Sequence, residues 1–221
     1  GANESGTRCT VESTTLEAHD MINKSSTTYI VGTRHGSDKD SVWIKFNSSL
    51  SFQDDSPLIT DESGASRDDE ATTIFNADAD KYIIAGNTVT ANGDTDIFIR
   101  YVDNKNVNES GFNSGSARFV DIQGNNQNDT ATKVHGDKGG SFSAFIVGHT
   151  ELTNGKKDAA VVVVDKDGNL VTTVDNDGIA TYDIDGDSGN GTKDSVFTDV
   201  QFELDGDADD YDLILSGEII D

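Results

Sequence analysis

The sequence predicts an all-β fold built from repeated units, and three observations predict it. Short runs of Val, Ile and aromatic residues are separated by Gly, Asp and Asn clusters; four of those runs end in glycine; and no window sustains a helical apolar period. Runs of this length and composition are what buried strands require, whereas a helix needs apolar residues recurring every three to four positions. One Pro and 22 Gly are consistent with strands joined by tight turns.

The glycine-ended strands come first. They read Tyr29-Ile30-Val31-Gly32, Tyr82-Ile83-Ile84-Ala85-Gly86, Phe145-Ile146-Val147-Gly148 and Leu213-Ile214-Leu215-Ser216-Gly217. After each of the first three, a polar turn and an aspartate (Asp40, Asp96, Asp158) lead into a second strand, such as Val42-Trp43-Ile44-Lys45-Phe46 or Ile97-Phe98-Ile99-Arg100-Tyr101. A third, shorter strand follows at residues 58–60, 117–122 and 178–184. A weaker strand precedes each glycine, at residues 14–22, 71–75, 130–134 and 196–202, often introduced by an acid. Val164-Asp165-Lys166-Asp167-Gly168-Asn169-Leu170 carries the clearest hairpin signal and reads as a primed Asp-Gly turn.

Four strands per unit is the pattern of a propeller blade. The expected architecture is therefore a small β-propeller of about four blades of antiparallel strands, a single domain over residues 1–221. Its units are 14–60, 69–122, 129–184 and 194–221, the last completed by residues 7–12. Pairing of those N-terminal residues with the C-terminal unit would close the ring and remove exposed edges. A fragment of a larger propeller is the alternative.

Composition sets the surroundings. Hydrophobic residues are only 33% of the chain, but their clustering separates it from a disordered acidic polymer. With 41 acidic against 16 basic side chains, net −25, the chain repels phosphate backbones and anionic bilayers. Nucleic acid is thereby excluded as a partner, and no run approaches the roughly 20 apolar residues that membrane insertion by a helix requires. Such charge suits an extracellular, cell-surface or periplasmic setting. A single cysteine, Cys9, allows no intrachain disulfide. The opening Gly1-Ala2-Asn3-Glu4 lacks the basic and apolar regions of a signal peptide, so any such leader is expected to have been removed.

The pattern of a glycine-ended strand, an Asp-led strand with Arg or Lys near its end, an Asp-Gly turn and a trailing Gly-led segment resembles the delta-sixty repeat family of bacterial secreted and surface proteins. Residues 158–184 carry the best match, including Asp167-Gly168 and Asp177-Gly178-Ile179-Ala180-Thr181-Tyr182-Asp183-Ile184; residues 96–122 follow, with Arg100 and Gly111-Phe112. Lys45 stands for the arginine in the first unit, and Val163 or Val164 in the third. The resemblance implies a propeller-like β fold and no catalytic residues.

Two acidic loops are the candidate metal sites. Residues 183–194 place Asp183, Asp185, Asp187 and Asp194 at positions 1, 3, 5 and 12 of a twelve-residue loop, the oxygen spacing of an EF-hand, though Ser188 takes the turn glycine's place. Residues 203–212 present Asp205, Asp207, Asp209 and Asp212 in an Asp-x-Asp-x-Asp array running into an apolar strand. Both loops read either as Ca2+ ligands or as solvated acidic turns, since so many carboxylates repel one another unless shielded. The recurring Asp40, Asp96 and Asp158 read more simply as turn caps. His19, His35, His135 and His149 form no spaced pair, and neither a Gly-x-Ser-x-Gly elbow nor a phosphate loop occurs.

The leading expectation is a non-catalytic extracellular or cell-surface scaffold or adhesion module, stabilised by calcium and meeting a surface glycan or protein. A lectin-like carbohydrate-binding propeller is the first alternative, and a polysaccharide-active glycosidase or lyase working through rim carboxylates is the second.

Overall fold

The structure, a computed structural model, describes residues 8–11, 14–53, 58–64, 66–124, 126–137, 143–184, 193–204 and 211–220. They form four antiparallel sheets that follow one another along the chain. The first runs β1 (Arg8–Val11), β2 (Thr14–Lys24), β3 (Thr27–His35), β4 (Lys39–Asn47) and β5 (Leu58–Thr60). The second holds β6 (Asp69–Asp78), β7 (Lys81–Val89), β8 (Thr95–Asp103) and β9 (Arg118–Val120). The third holds β10 (Asp129–Gly136), β11 (Ser143–Glu151), β12 (Lys157–Asp165) and β13 (Ile179–Tyr182), and the fourth is the hairpin β14 (Asp194–Leu204) and β15 (Tyr211–Ile220). Each sheet is one sequence repeat.

The repeat glycines are fixed by a close approach. Gly32, Gly86, Gly148 and Gly217 pair with Ala18, Ala71, Ala131 and Phe197, and in each partner strand the register shifts just beyond, leaving one bulged residue. A Cβ on any of these glycines would run into a backbone carbonyl oxygen, that of Glu17, Glu70, Thr130 or Val196. The bulge re-aims the following side chain out of its own sheet. Those side chains are Asp20, Thr73, Lys133 and Asp199.

Three of these groups, Asp20, Thr73 and Lys133, bind the units together, whereas Asp199 accepts the Val200 N–H of its own strand. Asp20 Oδ2 accepts the Ile74 N–H at 3.0 Å and the Thr73 hydroxyl at 2.9 Å, and Thr73 Oγ1 in turn accepts the Val134 N–H at 3.1 Å. Lys133 Nζ also reaches Asp20, at 2.8 Å, although one belongs to the third unit and the other to the first. Sheets stacked flat with another between them would stand about 20 Å apart. The inner edges of the units therefore converge on a common line.

Apolar side chains fill the wedges between sheets. Tyr29, Val31 and Trp43 meet Ala71, Ile74, Tyr82 and Phe98 between the first two units, with the Tyr29, Trp43 and Tyr82 rings 4.6–5.3 Å apart. Ile83, Ile97 and Ile99 meet Val134, Ile146 and Val162 at the next junction, and Val147, Val161 and Val163 meet Phe197 and Val200 at the last.

A buried ion pair also crosses the first junction. Arg100 Nη1 lies 3.1 Å from Glu62 Oε1, with the two side chains only 5% and 4% exposed. Thr60 Oγ1, Asn108 Oδ1 and the Asn106 carbonyl accept further guanidinium protons, and Ser41 donates to Glu62. Burial pushes the Glu62 carboxyl up, against the opposing pull of Arg100.

Several expectations are refined or corrected. The strands expected ahead of the glycines are present and longer than their weak apolar signal indicates, β2 and β14 spanning 11 residues and β6 spanning 10. Their apolar signal is diluted by the polar side chains that tie the units together. Residues 8–11 fold back onto β2, pairing Arg8 with Glu17 through Val11 with Thr14, and do not pair with the C-terminal unit. Among the described residues the four sheets form no closed ring. The register also matches Gly32 with Val42, Gly86 with Phe98 and Gly148 with Ala160, so Ile44 and Val162 hold the places equivalent to Arg100, rather than Lys45 and Val163 or Val164.

The Asp-Gly hairpin forms as a turn, but among its loop residues only Gly168 has positive φ, so it is not a primed turn. Asp165 Oδ1 accepts the Asp167 and Asn169 N–H groups, and Asn47 and Asp103 make the same pair of bonds in the earlier units.

Gly86→Ala is expected to cost about 3 kcal/mol or more, as other backbone strain with overpacking does, because the new Cβ meets backbone and the Phe98 ring at 2.8 Å. Gly111→Ala, where a Cβ meets nothing within 4 Å, should stay within about 0.5 kcal/mol by urea denaturation. Arg100→Met should cost about 3–5 kcal/mol by leaving Glu62 buried and unpaired, and adding Glu62→Gln should recover a large part in the same assay.

Candidate metal centre

The connection between units brings three carboxylates together. Asp96 opens the inner part of β8 and Asp121 follows β9, and because Ile97 pairs with Val120 the two aspartates lie side by side just past the end of that ladder. Asp129 is the first residue of β10 in the next unit. Its Oδ2 accepts the Ile122 N–H at 2.6 Å, which latches the third unit onto the end of the second. Asp121 Oδ1 accepts the Gly124 N–H at 2.6 Å and so shapes the connecting turn. As a result Asp96, Asp121 and Asp129 each offer a carboxylate oxygen within 4.8 Å of the other two.

The centre grades from buried to open. Asp129 is 1% exposed, Asp96 half-buried and Asp121 exposed. Asp129 Oδ1 and Asp96 Oδ1 are both buried and have no hydrogen-bond partner among the described residues. Thr150, opposite Asp129 in the β10–β11 register, holds a buried hydroxyl that likewise lacks a partner in good geometry. None of the three aspartates enters an ion pair with a described Lys, Arg or His.

Their protonation reflects this isolation. Burial, reinforced by Asp121, Asp94 and Asp129, pushes the Asp96 carboxyl up to about 7. Burial also pushes Asp129 up to about 6, partly offset by the Thr150 hydroxyl and the Ile122 N–H, while Asp121 and Asp94 add to the rise. Three carboxylates this close cannot all ionise without a counter-cation. A cation that suits hard carboxylate and hydroxyl oxygens is Ca2+ or Mg2+, and a span of 4.8 Å fits Ca2+, whose ligands lie at about 2.3–2.6 Å in irregular geometry. Asp96, Asp121 and Asp129 would hold the ion, with water completing the shell on the exposed side.

The other two junctions resolve the same positions differently. In the first, Asp40, Asp61 and Asp69 are the equivalents. There Arg34 donates through Nε to Asp40 at 2.9 Å, from the strand position that Thr88 and Thr150 occupy in later units. An arginine thus supplies the positive charge. Asp69 Oδ2 accepts the Glu62 and Ser63 N–H groups, repeating the Asp129 latch. In the third, Asp158 and Asp183 keep their places but Ser195 replaces the latching aspartate, accepting the Ile184 N–H at 3.1 Å. Only the middle junction gathers three carboxylates with no protein cation among the described residues.

The residues expected from the acidic loops are placed as follows. Asp183 follows β13 and Asp194 opens β14. Asp194 Oδ1 accepts the Lys157 N–H at 3.3 Å and lies 4.0 Å from Lys156 Nζ, whereas Asp68 and Asn128 make the matching bonds to the Lys39 and Thr95 N–H groups. It acts as a latch between units. Asp185, Asp187, Asp205, Asp207 and Asp209 lie outside the described residues, and Asp212 lies in β15 opposite Glu203.

In the sequence Asp96 reads as a turn cap, and neither Asp121 nor Asp129 stands out as a ligand. The signal was a repeated cassette: Asp61, Gly64, Ser66 and Asp69 match Asp121, Gly124, Asn126 and Asp129 in spacing. His35 pairs with Glu17 Oε2 at 2.9 Å, and burial first, then Lys157, pushes the His149 imidazole down to about 4. No protein-family model matches the chain, and no curated protein matches it.

Between about pH 4 and 7, without divalent cations, folded Asp96 and Asp129 hold protons that the unfolded chain has released, so their contribution to unfolding free energy falls as pH rises. In chelator, the stability of Asp129→Asn relative to wild type should therefore climb from pH 4 to pH 7 in denaturant titrations. A flat difference would show that neither burial nor the neighbouring carboxylates raise Asp129.

Proposed function

We propose that the protein is a non-catalytic scaffold or adhesion module of an extracellular or cell surface, built as a propeller-like array of β units and stabilised by Ca2+. The observation that carries this reading is the centre of Asp96, Asp121 and Asp129, which joins two units through three carboxylates and has no ion-paired counter-cation among the described residues. Convergence of the inner strands, with Asp20 on Lys133, supports the radial arrangement. The delta-sixty resemblance points the same way and suggests a bacterial secreted or surface protein.

One exposed and two more buried carboxylates form a site of modest charge, of the kind that extracellular modules fill at about 10⁻⁴–10⁻³ M calcium. An ion there acts on stability rather than on a reaction. It binds the folded state, where the second and third units are latched, and the unfolded chain does not assemble the site. The chain's charge of −25 keeps such a module soluble and resists nonspecific association with anionic surfaces. No described helix is long and apolar enough to cross a membrane.

Calcium at about a hundred times its Kd should add about 2.7 kcal/mol. In differential scanning calorimetry the melting temperature should rise with Ca2+, rise less with Mg2+, fall back with chelator, and lose its calcium dependence in Asp129→Asn. An unchanged melting temperature on calcium addition would overturn the reading.

A further inference from the structure

The fourth unit differs from the others in having two strands. In the first three units the second strand is interior, with the first strand on one side and the Asp-led third strand on the other: β3 beside β4, β7 beside β8 and β11 beside β12. β15 is the second strand of the fourth unit, and among the described residues it pairs with β14 alone. Its other edge is open, and it carries no proline or lysine of the kind that protects an exposed edge.

Beside that edge lies a hollow of about 370 Å³, lined by Ile184, Phe197, Leu215, Gly217 and Ile219, among others. The register shows what occupies the same place in earlier units. Phe98 stands opposite Gly86 and lays its ring over it, and Ala160 stands opposite Gly148. No described strand brings such a residue to Gly217. Thr88 and Thr150, two places past their glycines, are 3% and 0% exposed, whereas Ile219 at the same place is 46% exposed. A large apolar residue is thus left open where its polar counterparts are covered, the reverse of what burial favours.

The preceding unit sets the chemistry of the strand that fits. Ile184 is the counterpart of Glu62 and Ile122, since each donates its N–H to the latching residue of the next unit. Glu62 meets Arg100, and Ile122 packs against the cluster that holds Val162. Arg100 and Val162 occupy one position, two residues past the one opposite the repeat glycine. An acid there is matched by an arginine and an isoleucine by a valine. Ile184, 41% exposed, therefore calls for an apolar side chain and would leave an arginine without its acid.

A second copy of the chain does not supply this strand. Antiparallel pairing of two β15 edges puts a two-fold axis perpendicular to the joined sheet, so both third units would lie on the same face. Ile184 already brings the third unit out over the open edge, and the two would collide.

We propose that the open edge of β15 binds an extended segment of another protein by strand addition, antiparallel to β15, with one apolar side chain over Gly217 and the next against Ile184. In this mode backbone hydrogen bonds supply affinity and alternate side chains supply specificity. The partner segment is apolar at alternate positions and uncharged where it meets Ile184. The site shares no residue with the metal centre and goes beyond the calcium reading.

The test is fluorescence anisotropy of the full chain with a labelled peptide of residues 157–165 as the probe. The peptide should bind with a Kd of about 100 μM or tighter, and the same peptide with Val162→Arg about tenfold or more weakly, as a charge buried without a partner does. Ile184→Glu, a change at an exposed position, should reverse that preference by recreating the pairing of Glu62 with Arg100. Binding of neither peptide, equal binding of both, or an unchanged preference in Ile184→Glu overturns the proposal. So does a concentration-dependent dimer in analytical ultracentrifugation that Ile219→Lys abolishes, because a second copy would then hold the edge. The calcium reading is judged separately, by the melting temperature with and without Ca2+, so either can fail alone.

Discussion

A backbone carbonyl pressed against a glycine is the constraint on which the rest of this molecule depends. In every unit it allows two strands to approach more closely than a side chain would permit, and the bulge beside it turns one polar group out of the sheet. In the first two units that polar group finds the backbone of the next unit, as Asp20 finds Ile74 and Thr73 finds Val134, and in the third Lys133 reaches back to Asp20. The apolar wedges follow from this spacing. So do the junction carboxylates, which meet because the first strand of one unit starts where the last strand of the previous one ends.

Junctions of one design carry three different electrostatic solutions. The first uses arginines, Arg34 on Asp40 and Arg100 on Glu62. The third dispenses with one carboxylate by placing Ser195 where the others have aspartate. The middle retains all three acids, and its two more buried members respond by holding protons more tightly than usual. With few basic residues to distribute, the chain spends its arginines at the first junction. The middle one has no ion-paired basic side chain among the described residues.

Much of the architecture was legible in sequence because it rests on local signals. The glycine-ended strands, the Asp-led strands and the turns at Asn47, Asp103 and Asp165 all announce themselves within a few residues. The first strand of each unit was underestimated, since groups such as Thr73 and Lys133 face neighbouring units and break the apolar alternation. Register was less legible still: with the apolar runs aligned Lys45 looks like the counterpart of Arg100, but Ser41 stands in the place of Ile97, so the run in β4 starts one residue later and Ile44 takes that position. The metal centre escaped for a related reason. Its three acids come from two units and stand 25 and 8 residues apart, whereas the loops that drew attention are dense in charge but local.

The serine at the third junction has a mechanical consequence. A load applied along the chain is shared among junctions in series, and the least cross-linked yields first. Between the first two units a buried guanidinium and an aromatic trio resist separation, and between the next two a carboxylate latch does so. Between the third and fourth, a neutral hydroxyl and a two-stranded sheet stand in their place. Under tension this third junction, held by the Asp194 latch and its apolar wedge without a carboxylate at the Ser195 position, would yield before the other two.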